Sequence, residues 1–524
     1  MTAPVTTEAP RSRFRLIVLV PVLALIALLA WAMASPIGSS PDDDFHLSSI
    51  WCATVSTSTA DCQPGTSADT RLVPKLVAEA PCFAHKPQVS GTCQTKIGTS
   101  SKPDHLTTRV NTEHSYPPVY YATMHAFVSS NIVLSAFVIR VVNILLFLAI
   151  TTALFLLLPR RRRPTLIWAW LITTLPLGLF LIASDNPSAW AIIGVGSSWL
   201  ALLGYFETTG RRKVGLGVLF ALASLTAAGS RGDSAVYTIV GIGAVLFLAF
   251  APTRGFFRAA ILPVVFAVIS AVFFLTARQS LSGVTGFHGS AGLSTGVASQ
   301  AAAAPVNPIT LLFSNMVQIP SLWAGIFGEG WGLGWLDTSV PAVTSLGAIA
   351  VFVAVVFMGL GRLSLRKGIV VGLVGIVVWL LPAYVLGAGH DPVGQQVQPR
   401  YLLPLIILFA GLAVLRVRDR RPIRLGRVQW ITLAATLSIG QCLALYFTMR
   451  RFINGNAPGG VNLDAAGGWW WSIPIPPIVV FALGSLAYAA TVVVLLRELN
   501  GRLPDRGDAQ TQVDEDADES LSVV

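Results

Sequence analysis

The sequence predicts an all-α polytopic membrane protein of about twelve transmembrane helices, with both termini in the cytoplasm. Three observations predict it. Apolar residues make up 53% of 524 and charged residues 12%, and mean hydropathy is +0.67, a balance no soluble globular chain of this size shows. Apolar runs near the ~20 residues that a bilayer crossing needs recur along the chain. Basic residues then gather at alternate connections: Arg160 to Arg163, Arg211-Arg212-Lys213, Arg254 with Arg258, Arg362 with Arg366-Lys367, and the run from Arg416 to Arg427. That is the positive-inside pattern. The net charge of +11 therefore reads as orientation and inner-leaflet attraction, and no nucleic-acid partner is expected.

Taken in order, residues 1–15 form a cytoplasmic N-terminus whose Arg11, Arg13 and Arg15 orient a first helix over 16–35. A cleavable signal peptide is the rival reading there, because Ala32-Met33-Ala34 resembles a cleavage site. An outer loop over 36–136 follows. Helices two to seven occupy 137–277, with spans at 137–158, 165–183, 188–206, 214–229, 235–251 and 259–277. A second outer loop covers 278–340, Gly, Ser and Ala-rich through Ala304, then apolar and Trp-rich from Leu311 to Trp335. Pro320 and several glycines interrupt that second part, which suits the membrane interface better than a crossing. Helices eight to twelve fill 341–496, at 341–360, 369–387, 400–415, 428–448 and 476–496. Residues 497–524 read as a disordered acidic tail.

The outer loops hold the informative polar residues. Pro41-Asp42-Asp43-Asp44-Phe45-His46 emerges just past the first helix. Three carboxylates crowded against an anionic membrane surface suit a general base or a sugar- or metal-binding group; the alternative is a solvated loop with a helix N-cap at Asp42 or Asp43. Cys52, Cys62, Cys82 and Cys93 share the first loop and imply two disulfides, with three connectivities open. No Cys-x-x-Cys spacing suggests zinc, no cofactor is implied, and the acidic cluster alone could hold a divalent cation. Glu113-His114-Ser115-Tyr116-Pro117-Pro118 closes the loop. Arg140 and Asn143 belong near the outer end of helix two, Arg140 in a paired position, since a lone charge at mid-bilayer costs ~3 kcal/mol or more. Arg231, beside Asp233, lies at the outer end of helix five, and Arg400, before Tyr401, begins helix ten at the outer face; both read as boundary residues or as phosphate ligands. Trp469-Trp470-Trp471 suits interface anchoring or a sugar-stacking platform. Cys442 is a packing residue.

Five of these elements, in order, resemble a known family. Pro41-Asp42-Asp43-x-x-His46 resembles its Pro-Asp-Glu-x-x-His signature, and Tyr116-Pro117-Pro118-Val119-Tyr120-Tyr121 its His-Pro-Pro-x-Tyr-Tyr element. Asn186-Pro187-Ser188 matches a short outer turn. Gly334-Trp335-Leu336-Asp337-Thr338 with Pro341, and Gln398-Pro399-Arg400-Tyr401-Leu402-Leu403-Pro404, are similar to two later elements. The set resembles domain-of-unknown-function family 2142, bacterial polytopic proteins grouped with the GT-C glycosyltransferases. The chain departs from it in having Asp43 for Glu, Ser115-Tyr116 where His would precede Pro-Pro, and Pro399 for Gly.

The resemblance implies a GT-C-like fold in the bacterial cytoplasmic membrane, with the active site facing outward among membrane lipids. It implies transfer of a sugar from a polyprenyl-phosphate donor to a cell-envelope glycan or glycolipid. Asp43, then Asp42, would be the general base. Asp44, His46, Glu113, His114, Tyr116, Arg231, Asp233, Trp335, Asp337, Arg400 and Tyr401 would bind substrate. A transporter or flippase of lipid-linked sugars is the alternative. Transporters place ionisable residues near the bilayer midplane, and helices three to twelve lack them centrally.

Overall fold

In the computed structural model the described residues are 16–500, apart from 55–60, 278–306, 362, 396, 417–422, 424, 456–460 and 465–467. The N-terminal arginines, the Gly, Ser and Ala-rich stretch through Ala304 and the acidic tail lie outside them.

A 3-10 turn over Leu16–Leu19 runs into α1 (Val20–Met33). A compact loop domain follows, with α2 (Asp43–Trp51), α3 (Lys75–Glu79), α4 (Val119–His125) and a three-stranded antiparallel sheet ordered β1 (Gln63–Pro64), β2 (Arg71–Pro74), β3 (Pro103–Thr107). Leu72 pairs with Leu106 across the second ladder. The helical bundle then continues with α5 (Ile132–Leu157), α6 (Arg163–Leu171), α7 (Leu177–Ile182), α8 (Ser188–Phe206), α9 (Gly210–Ala228), α10 (Gly232–Ala249) and α11 (Arg254–Thr276). It ends with α12 (Pro308–Ile326), α13 (Ala342–Leu360), α14 (Leu365–Gly389), α15 (Pro399–Val414), α16 (Arg427–Asn454) and α17 (Pro477–Asn500).

Ten helices among the described residues are long and apolar enough to cross a membrane. Nine correspond to spans read from the sequence. The span at 165–183 is instead two short helices, α6 and α7, broken before Pro176, which has no N–H to continue the ladder. The span at 400–415 is the 16-residue α15, and that at 214–229 is α9, which begins in its Arg211-Arg212-Lys213 run. The tenth candidate is α12, in the segment assigned to the interface. Its length permits a crossing. Near its middle Asn315 donates to Asp391 O and accepts from Val393 N, just past α14; close to its end Gly325 abuts Pro399, the first residue of α15.

The bundle has two chemically distinct ends. At one, Arg162 pairs with Glu207 and bonds to Arg416 O, Lys367 caps Gly359 O, and Arg366 reaches Phe250 O. At the other, termed the loop face, the described residues between 34 and 131 sit on the helix ends. Arg140 of α5 donates to Ala32, Ser35 and Pro36 carbonyls, and Arg451 of α16 to Phe83, Lys86 and Val89. Central α8 is buried almost throughout. Its Gly194 has no substitute, because a Cβ there would lie 2.5 Å from the Ala223 carbonyl oxygen of α9.

Candidate functional site

The acidic cluster does not act as one unit; its three carboxylates face three environments. Asp42 precedes α2 in the left-handed region at φ 63°, unusual for a residue other than Gly or Asn, and this turns successive side chains apart. Its side chain is 20% exposed, and it pairs with Arg400 and, at 3.1 Å, with Arg109. Asp44 is held by Arg109 through Nε at 2.8 Å and Nη2 at 3.0 Å.

Asp43 is fully buried and faces the other way. Its carboxylate accepts from Ser40 N at 2.9 Å and lies 3.5 Å from Asn186 Nδ2. Beside it is a second buried carboxylate, Asp185, which takes the Arg140 Nε bond at 2.9 Å. Four hydrogen bonds fix Arg140, so it ties α1, α5 and the α7–α8 turn together. Asn143 extends this network to Ser184 O and Trp190 Nε1. Burial, then the Asp185 charge, push the Asp43 pKa well above the usual carboxylate range, while Arg140 opposes them. Burial would raise Asp42 too, but Arg400 and then Arg109 hold its carboxyl well below that range.

Around Asp42 the cluster is aromatic and cationic. Arg400 is buried; its Nη1 donates to Pro41 O at 2.7 Å, its Nη2 to Asp42 and to Tyr401 Oη at 2.8 Å, and its Nε has no hydrogen-bond partner. Arg231, also buried, grips Asp233 through Nε and Nη2, leaving Nη1 unpartnered. The guanidinium groups of Arg231 and Arg400 lie 4.5 and 4.9 Å from the Tyr401 ring centroid, and Arg231 is 5.5 Å from that of Tyr116. His46 packs edge-on to Tyr116 and shares a 2.9 Å hydrogen bond between its Nδ1 and Tyr121 Oη. Burial keeps His46 neutral, and the charges of Arg400, Arg231 and Arg109 reinforce this against Asp42.

The remaining sequence-derived candidates fall outside this cluster. Asp337 pairs with Arg451 at 2.8 Å, and Trp335 Nε1 donates to Gly38 O, so the Gly-Trp-Leu-Asp-Thr element braces the chain leading to Asp42. Glu113 and His114 sit on an exposed turn, His114 at φ 57°, and no hydrogen bond or ion pair joins them to the cluster. Trp471 is buried and donates to Met33 O, and Trp470 packs on Phe452, so both contact protein. The cysteines pair as Cys52–Cys62 and Cys82–Cys93; Cys442 is free and half-buried. Among the described residues no group of three or more His, Cys, Asp or Glu is placed to hold a metal ion. Arginines stand where a divalent cation at Asp42 and Asp44 would.

Sequence reasoning missed Arg109, Asp185 and Arg451. Each lies far along the chain from its partner, and no local spacing marks it. The apolar run after Arg400 packs on protein, since α15 is buried nearly throughout. A groove of about 690 Å³ opens by Trp323, Phe352, Trp379, Ile406 and Phe409. Phe409, nine residues on at ~100° each, projects from about the opposite side of α15.

The apolar helices and the polar cluster at one end of the bundle define a multi-pass membrane protein with a buried, arginine-lined site. The chain belongs to the family described as Predicted membrane protein (DUF2142), whose model matches residues 25–409. That interval takes in all five sequence elements and every member of the cluster. Among solved structures the chain is similar to ArnT from Cupriavidus metallidurans bound to undecaprenyl phosphate, at 13% identity and a TM-score of 0.41, over 93% of this chain and 78% of that one. No curated protein matches.

Proposed function

We propose that the protein is a membrane glycosyltransferase of GT-C type, moving a sugar from a polyprenyl-phosphate donor to a cell-envelope glycan or glycolipid outside the cytoplasmic membrane. The observation that carries this reading is the pair of buried guanidinium groups, Arg231 and Arg400, each with an unpartnered N–H, beside the partly exposed carboxylate of Asp42. An anion fits the first feature and a hydroxyl nucleophile the second. Arg400 and Arg231 bind the donor phosphate, whose negative charge grows as the anomeric C–O bond breaks. The Tyr116 and Tyr401 rings flank the two guanidinium groups, and His46, held neutral, supports Tyr116. Asp42 removes the acceptor proton. Of the two carboxylates named from the sequence, Asp42 faces the arginines and solvent, whereas Asp43 faces Arg140 and Asp185; Asp43 then serves to position the turn.

Among the described residues, buried Asp, Glu, Lys, Arg and His side chains gather at the two bundle ends. That distribution favours end-face chemistry over a midplane transport site. The test is incubation of the purified protein with a panel of polyprenyl-phosphate sugars and envelope acceptors. Transfer of one sugar, lost in Asp42→Asn, is the expected result. Leaflet-to-leaflet translocation of the lipid-linked sugar in reconstituted vesicles, without sugar transfer, would replace this reading with a flippase.

A further inference from the structure

Around the proposed catalytic carboxylate the charges already cancel. Arg109, Arg231 and Arg400 are matched by Asp42, Asp44 and Asp233, and His46 is neutral. An incoming phosphate therefore either leaves the cluster with excess negative charge or takes a guanidinium from a carboxylate already present. The three carboxylates differ in how readily they yield. Asp233 is buried and bound through both oxygens by its near neighbour Arg231. Asp44 is held by two nitrogens of Arg109. Asp42 spreads its two oxygens over two arginines, Oδ1 to Arg109 and Oδ2 to Arg400, and is the most exposed of the three. Losing Arg400 still leaves it tethered and ionised.

We infer that the Asp42–Arg400 ion pair is a substrate-operated latch: the lipid-linked phosphate displaces Asp42 Oδ2 from Arg400, and the freed oxygen becomes the proton acceptor. This rests on the phosphate-donor reading above. In the latched state Oδ2 is occupied by Arg400 and the base is blocked, so water is not activated in the absence of donor. In the donor complex Arg400 turns its Nη2 to the phosphate. The acceptor O–H proton passes to Asp42 Oδ2, the acceptor oxygen bonds the anomeric carbon, and the anomeric C–O bond breaks with its electron pair going to the lipid phosphate. The protonated Asp42 loses its proton to solvent. Departure of the lipid phosphate returns Arg400 to Asp42.

The test is a double-mutant cycle on the full-length protein in nanodiscs, with calorimetric titration of undecaprenyl phosphate and, separately, inorganic phosphate. Asp42→Asn is benign for the backbone, because Asn tolerates the left-handed conformation at 42. It should tighten phosphate binding roughly tenfold, the worth of one charge-assisted hydrogen bond no longer competed for. In an Arg400→Gln background the same change should alter affinity less than about threefold. Simple charge repulsion by Asp42 would instead tighten binding equally in both backgrounds, and that outcome overturns the latch while leaving the donor reading intact. Coupling seen with inorganic phosphate but no binding of undecaprenyl phosphate would keep the latch and sink the polyprenyl donor. Absence of binding by either probe would overturn both. Should Arg400→Gln fail to fold, a structure with bound undecaprenyl phosphate decides. Arg400 on the phosphate with Asp42 Oδ2 beyond about 4 Å supports the latch, and an intact pair overturns it.

Discussion

Asp42 and Asp43 are adjacent in sequence and alike in chemistry, yet the backbone turn at Asp42 sends them to opposite fates. Asp42→Asn should lower sugar transfer at least ~100-fold, since an amide takes no proton at neutral pH. Asp43→Asn should keep transfer within about tenfold of the parent, because its amide oxygen still accepts from Ser40 N. The reverse pattern in a turnover assay would return the base to Asp43. The two also differ in pH response. The folded-state pKa of Asp43 is raised, by burial first and Asp185 second. The stability it contributes is therefore complete below its unfolded-state pKa and is lost as pH rises through the folded value. Melting temperature of the parent should fall as pH rises through that interval, and Asp43→Asn should show a smaller fall, the remainder coming from Asp185, which burial also raises. Arg140→Leu is the harsh variant. It leaves Asp185 buried without its cation and should cost ~3–5 kcal/mol, read as lost thermal stability in detergent.

At the scale of elements, the loop domain owes its shape to a few staples rather than to a large core. Cys52–Cys62 closes the chain directly behind α2, and Cys82–Cys93 closes the segment that Arg451 grips from α16. Unreduced peptide mapping should recover these two pairs and no crossed pair. Replacing Cys82 and Cys93 by Ser should destabilise by about 3 kcal/mol, as expected for opening a loop of this length. The short β-sheet was not legible in the sequence. Its strands are two to five residues long and carry exposed polar positions, so alternation gives little signal. The long helices were legible, because a bilayer demands a run of apolar residues whatever the tertiary packing. The break between α6 and α7 was not, since the 165–183 run is mostly apolar and carries no charge, and Pro176 becomes decisive only where the chain is packed.

For the whole molecule, the basic connections and the disulfide-bearing loop lie at opposite ends of one bundle, as the charge pattern requires of alternating crossings. A cysteine introduced at Ser100, on a Cys442→Ser background, should be labelled from outside intact cells by an impermeant maleimide. One at Ser364 should be labelled only after permeabilisation. The opposite result would invert the orientation. The sequence by itself determined the membrane class, most of the crossings, the crowding of polar chemistry into the loops and the five elements that mark the family. It did so because apolar length, charge bias and short motifs are local properties, readable without neighbours. Only the tertiary structure decided which motif residues meet. It brought Arg109 and Arg400 onto Asp42, turned Asp43 toward Arg140 and Asp185, and gave Trp335 and Asp337 a bracing role. Those pairings join residues tens to hundreds of positions apart, and long-range ion pairing follows from how helix ends pack, which no local pattern encodes.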